Sequence, residues 1–228
     1  MKMMKRICSV MLAALIVAGT MIPVPAQAAA ISGGVKFGGW ASNDQSSAYF
    51  YVKSQNVDSF EYKVFSASGK LVKQSSAYVW NFTGDNTKQV CLVQGLKKRS
   101  CNYVSLRAHK NGAWTKWSSK YVLVPEIDAD WVKLNLNKYT QTASLSWKKV
   151  TGAGRYVVYL SKTGKGGWVK AAATTASKVK LKKFKNRKFS SGQTYYIKIV
   201  AQKKKGSKWI SSAGDTKKFY QYRFWFIY

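Results

Sequence analysis

The sequence predicts an all-β chain: two consecutive antiparallel β-sandwiches behind a cleaved signal peptide. Three observations carry that reading. Short segments alternate apolar with polar or small residues, which is the period of a half-buried strand. No stretch beyond the first thirty residues holds an apolar stripe at helical spacing. The chain also repeats its plan once: SFEYKVFSASGKLVKQ followed by NYVSLRAHKNGAWTKWSS is matched by GRYVVYLSKTGKGGWVKA followed by YYIKIVAQKKKGSKWISS. The period of roughly 95 residues is too long for a solenoid and indicates tandem domains.

The elements follow in chain order. Lys2, Lys5 and Arg6 precede an apolar run from Val10 to Ile22 and then small residues from Pro25 to Ala30, the order of a secretory signal peptide. Residues 1–29 are assigned to it, with cleavage near Ala28 to Ala30. The apolar run is too short to span a bilayer comfortably, so no membrane span is expected. Cys8 stands before the run rather than after it, which argues against a lipid anchor. The mature chain is expected to be secreted and extracellular, held at a cell surface only by charge or by a partner.

Residues 31–125 form the first expected domain and 126–220 the second, joined at Val124-Pro125-Glu126, where Pro125 is the only proline after the signal. Cys91 and Cys101 are the only cysteines left after cleavage. In an oxidising compartment they are expected to form one disulfide, the alternative being two reduced, half-buried thiols. In the second domain Thr142 to Trp147, Arg155 to Leu160, Lys178 to Lys182 and Tyr195 to Ala201 all read as strands. About seven short strands in such a length suit an antiparallel sandwich.

Three segments give the second domain a family likeness. Ala143-Ser144-Leu145-Ser146-Trp147, Gly154 to Tyr159, and Gly192 to Ala201 resemble the B, C and F strands of fibronectin type III domains, members of the immunoglobulin-like folds. The resemblance implies a buried Trp147 and places Tyr195 at the family's corner position, where its hydroxyl bonds back to the chain before the strand. The first domain departs further: Asn102 falls where the corner tyrosine should be, and no tryptophan occupies the B-strand place. A Cys91–Cys101 bridge joining the E and F strands would compensate, at about 2 to 3 kcal/mol for so short a loop. Domains of this family mostly mediate contacts with proteins or carbohydrates, so the resemblance implies a non-catalytic binding or adhesion module.

Candidate catalytic groups are few. The only histidine, His109, falls at the start of an expected surface loop, and Asp128 and Asp130 are the only closely spaced acids. That pair could take a calcium ion through its oxygens, or pair with lysines. No glycine-rich phosphate loop or nucleophile elbow is present, so no enzyme activity, cofactor or metal is expected.

Charge is the strongest functional signal. The chain carries +31, of which residues 31–126 hold +8 and residues 127–228 hold +20. A solubility requirement is met by a magnitude of about 2 to 8, so the second domain of this basic protein points to a polyanion. Lys182, Lys183, Lys185, Arg187 and Lys188 before the F strand are the candidate contacts, with Lys203, Lys204 and Lys205 in the expected loop between strands F and G. An anionic glycan or cell-wall polymer is the expected partner. Non-specific nucleic-acid binding through the same residues, a protein partner and a purely structural spacer role are the alternatives. Trp114, Trp117, Trp168 and Trp209 lie in or beside expected turns, either exposed for stacking or capping the sandwich ends. The tail at 221–228 alternates aromatic residues; Phe224, Trp225, Phe226 and Tyr228 are expected to lie on a sheet edge or face, or to pair with another chain.

Overall fold

A computed structural model describes residues 31, 35–53, 57–82, 85–128, 131–190, 192–212 and 222–224. The expected signal peptide lies outside the described residues, as do Asp130, Trp225, Phe226 and Tyr228.

The first half of the chain forms strands β1 (Val35–Trp40), β2 (Ser47–Lys53), β3 (Ser59–Phe65), β4 (Leu71–Phe82), β5 (Asp85–Gln94), β6 (Asn102–Lys110), β7 (Ala113–Trp114) and β8 (Tyr121–Leu123). All pair antiparallel along one path, β1-β2-β5-β4-β3-β6-β7, with β8 also on β6. The twelve-residue β4 makes two layers of this path: Leu71 to Ala77 pairs with β3, and Tyr78 to Phe82 pairs with β5. Phe50, Val52, Phe60, Val64, Cys91, Val93, Val104 and Leu106 fill the space between the layers. Each alternates with outward residues along its strand, which is why the period of two was readable in the sequence.

The second half forms β9 (Val132–Asn137), β10 (Thr142–Trp147), β11 (Arg155–Ser161), β12 (Val169–Thr174), β13 (Lys178–Leu181), β14 (Lys183–Phe184), β15 (Arg187–Lys188), β16 (Tyr195–Lys205), β17 (Lys208–Ser211) and β18 (Tyr222–Phe224). One sheet runs β13-β10-β9, the other β12-β11-β16-β17 with β18 also on β16. Trp147 is buried between them against Tyr156, ring centroids 5.2 Å apart. The Tyr195 hydroxyl accepts a hydrogen bond from the Ser190 backbone N–H at 3.0 Å, the corner geometry expected of it.

The disulfide expected between Cys91 and Cys101 is not formed; both thiols are free and buried. Cys91, on β5, points into the first core, whereas Cys101, just before β6, belongs to the apolar cluster that continues into the second sandwich. The two side chains therefore serve as small apolar residues of different clusters. Burial pushes the Cys91 thiol up to about 12 and the Cys101 thiol up to about 11, so both are neutral near pH 7. Hydrogen bonds do the work assigned to the bridge. The Asn102 carboxamide accepts from the Lys97 backbone N–H at 3.0 Å and donates to the Lys97 and Ser100 carbonyls at 3.1 and 2.8 Å. An asparagine at the corner position thus closes the turn before strand β6, which a tyrosine hydroxyl closes in the second sandwich.

Apolar packing and backbone hydrogen bonds join the two sandwiches. Val124, Pro125 and Ile127 are buried, and Val122, Val124 and Ile127 join the second core. Ser100 and Thr151 form a parallel bridge, with the Cys101 N–H donating to the Thr151 carbonyl at 2.8 Å and the Thr151 N–H to the Arg99 carbonyl at 2.9 Å. The Gln45 side chain accepts from the Glu126 N–H at 2.9 Å. The joint at Val124-Pro125-Glu126 is thus a packed element.

Candidate polyanion-binding surface

Strand β13 sets the surface. Its alternation buries Leu181, half-buries Val179 and leaves Lys178 and Lys180 exposed. Strand β10 lies between β13 and β9, so Ala143, Ser144, Leu145 and Ser146 each have a partner on both sides. Ser144 faces Asn135 and Lys180; Ser146 faces Lys133 and Lys178. Directly paired residues share a face, which places these six side chains outward in two rows. Along a strand the rows stand about 6.8 Å apart, and the rims are about 9.6 Å apart across two strand spacings. The two serines are short and their neighbours long, so the face is a trough of about 680 Å³ with a serine floor, Lys178 and Lys180 along one rim and Lys133 and Asn135 along the other. Trp147 and Leu145 lie on the buried side of the same strand, fixing which face β10 turns to solvent.

The basic segment beyond β13 continues this charge on a rigid support. Lys182 is exposed, and β14 pairs with β15 through Lys183 opposite Lys188 and Phe184 opposite Arg187. The two linking residues, Lys185 and Asn186, take positive φ of 48° and 65°, the left-handed pair of a tight hairpin turn. Phe184 and Phe189 anchor the hairpin on Tyr195, at 5.6 and 4.9 Å between ring centroids. Lys183, Lys185, Arg187 and Lys188 are all exposed. Lys183 and Lys188 repel one another across the pair, and no carboxylate pairs with the lysines of the trough or hairpin among the described residues. The ion pairs Lys98–Asp44, Arg107–Glu61 and His109–Asp58 stand in the first sandwich.

Lys203, Lys204 and Lys205 are placed differently from the sequence expectation. They end strand β16 rather than forming a loop, pairing with Ile210, Trp209 and Lys208; the turn is left to Gly206 and Ser207. The half-buried Lys203 donates its ammonium to the Gly152 carbonyl at 3.1 Å, and Lys205 donates to the Lys120 carbonyl at 3.1 Å. The Lys205 bond crosses to the first sandwich, whereas the Lys203 bond stays within the second, with its ammonium 5.5 Å from the Tyr103 ring of the first. Only Lys204 of the three projects without such a bond. His109 also sits in a strand, β6, with its ring 3.2 Å from the Asp58 carboxylate and 5.0 Å from Trp114.

The tryptophans near the turns are capped by cations. Arg107 lies over Trp114 at 4.5 Å and over Trp117 at 4.8 Å, with Lys63 on Trp117 at 4.2 Å. Arg107 is itself fixed by Glu61 at 2.6 Å. In the second sandwich Arg155 covers Trp209 at 4.0 Å, and Lys198 stands 5.5 Å from Trp168. The segment after β7 is held to β6 by side chains: Thr115 and Ser118 hydroxyls accept from the Ala108 and Leu106 N–H groups at 2.9 and 3.0 Å. Packing, not ligand stacking, is the role this geometry gives these indoles.

No family model and no curated protein matches the sequence. Among solved structures, a two fibronectin type III domain segment from chicken tenascin is similar over 78% of this chain and 95% of that one, at 17% identity and a TM-score of 0.35. The FN1–FN3 domains of chicken CNTN1 are similar over 87% of this chain and 69% of that one, at 12% identity and a TM-score of 0.32.

At the C-terminal end, β18 adds to the edge of β16, with Phe224 opposite Tyr195 and Tyr222 opposite Ile197. Part of the aromatic tail therefore occupies a sheet edge, on the same side of β16 as β17.

Proposed function

We propose that this chain is a non-catalytic binding module of two fibronectin type III-like sandwiches, exported and extracellular, whose second sandwich holds a linear anionic polymer. The observation that supports this most directly is the serine-floored trough: Lys133, Lys178 and Lys180 line it, and no carboxylate among the described residues pairs with them. Uncompensated ammonium groups on a rigid sheet raise the local potential and favour counterion release when phosphate or sulfate replaces small anions. The trough and the β14–β15 hairpin are consecutive in the chain, so one extended polymer could meet both. A glycan or cell-wall polymer bearing phosphate or sulfate is the ligand class this charge suits.

Replacing Lys133, Lys178 and Lys180 with glutamine tests the reading, because all three are exposed and the fold does not depend on them. Binding of the full chain to a sulfated polysaccharide at physiological salt is expected to weaken by about tenfold or more. The logarithmic salt slope should fall by about two to three, near one per lost contact. Equal binding by the triple variant would overturn the assignment of the trough.

A further inference from the structure

We infer that the first sandwich carries a second, independent ligand site: an aromatic platform that takes the pyranose rings of a polysaccharide. The site is the outward face of the sheet β1-β2-β5-β4. In β2 the inward residues are Ala48, Phe50 and Val52, so Tyr49 and Tyr51 point outward. Register then builds two rows. Tyr49 and Tyr78 flank Leu92 in one, and Tyr51 and Trp80 flank Val90 in the other. Tyr78 is 73% exposed and Trp80 42%, values far outside those of core aromatics. Tyr49 and Trp80 meet at 5.7 Å across the central strand and leave Val90 only 4% exposed. The rings thus roof the aliphatic centre and form one continuous surface.

The neighbouring strand is shaped to admit this surface. Gly38 on β1 lies beneath the Tyr51 ring, where an added Cβ would stand 2.7 Å from Cε2. Any larger residue there would lift the ring off the sheet. A side chain built against its neighbour in this way is part of the fold's surface design rather than a loose aromatic.

Chemistry selects the occupant. The site presents exposed aromatic rings, Tyr49 and Trp80 meeting edge to face at 87°, together with phenol hydroxyls, a combination that meets both the apolar face and the hydroxyl rim of a sugar. Among the described residues of this face, cations stand beside the Tyr51–Trp80 row, where Lys36 pairs with Tyr51, and beyond it, where Lys53 pairs with Lys88; the other end is Ser47 opposite Gln94. A single-stranded nucleic acid brings a phosphate with every base and would find no cation along the rest of the face. A second copy of the chain fits poorly, because a stable interface needs on the order of 800 Å² and 20 residues a side, whereas this face offers six side chains. An exposed apolar patch of this kind marks a binding surface.

The site differs from the lysine trough in its response to salt, which separates the two. Affinity electrophoresis of the full chain in gels containing a soluble uncharged linear glucan, at salt high enough to abolish polyanion binding, tests it. Retardation is expected for the wild type. Tyr78→Ala and Trp80→Ala should each weaken it by about tenfold, the size of one lost stacking contact. Tyr78 is so exposed that its removal should leave the unfolding midpoint unchanged, which keeps the result interpretable if Trp80→Ala perturbs the sheet. Absence of retardation across neutral glucans, mannans and chitin oligomers would overturn the proposal. So would retardation of both variants equal to that of the wild type, or wild-type dimers in gel filtration that the variants dissolve.

Discussion

Trp147→Ala is expected to destabilise the second sandwich by about 3–5 kcal/mol, the usual cost of emptying a large aromatic site in a core. Trp147 is 5% exposed and packs edge-on against Tyr156, whose hydroxyl accepts the Val150 N–H at 2.9 Å. Truncation would therefore leave a cavity and loosen the ring that holds the turn after β10. The indole N–H of Trp147 is buried without a hydrogen-bond partner, which separates two contributions. Trp147→Phe keeps most of the ring and removes an unsatisfied donor that costs about 1–3 kcal/mol. It should lose far less than the alanine variant. Urea unfolding followed by circular dichroism measures both; equal losses in the two variants would show that the polar edge, not the volume, matters.

Gly152→Val is expected to uncouple the sandwiches. Gly152 has φ of +81°, and a Cβ there would stand 2.6 Å from the Ala67 Cβ and 3.3 Å from the Cys101 Cβ. A branched residue at such a φ costs about 1–3 kcal/mol in backbone strain alone. The clash cannot be relieved by a flexible tip, because both opposing atoms are fixed to backbone. The bridge at Thr151 and the Lys203 contact to the Gly152 carbonyl should be lost with the loop's position. The expected readout is one cooperative unfolding transition in the wild type and two in the variant, with faster proteolysis between residues 124 and 131. A single unshifted transition would show that the junction contributes nothing to coupling.

Much of the fold could be read from side-chain alternation, because in a sandwich the inward and outward residues of each strand differ in polarity. The places of Trp147 and Tyr195 came instead from the resemblance to type III domains, which implies a buried tryptophan on the B strand and a corner tyrosine on the F strand. The corner role of Asn102 was only half legible, since the sequence shows the missing tyrosine but not the three hydrogen bonds that replace it. The number of cysteines and the expected compartment misled, because neither says which core each thiol enters. Cys91 and Cys101 lie on segments that face different clusters.

The functional surfaces were less legible because they depend on register between strands distant in sequence. Lys178 and Lys180 read as an exposed stripe, but only pairing through β10 to Lys133 reveals a trough with a serine floor. Lys203 reads as one of three equivalent loop lysines until its contact with Gly152 is seen. The platform of Tyr49, Tyr51, Tyr78 and Trp80 draws on two strands joined by a third, and no local pattern announces it. Conversely, Trp114 and Trp117 look available in the sequence and are covered by Arg107, a residue whose own position is set by Glu61 across the sheet.

Polyanion binding by the second sandwich is tested most directly by the salt dependence of binding. The full chain should be titrated with a sulfated polysaccharide and with polyphosphate between about 50 and 200 mM salt, the range over which a protein making several phosphate contacts loses orders of magnitude in affinity. A steep linear fall of the logarithm of the binding constant with the logarithm of salt concentration, flattened in the Lys133, Lys178, Lys180 glutamine variant, is the predicted result. A salt-independent constant, or a slope identical in the variant, would contradict it.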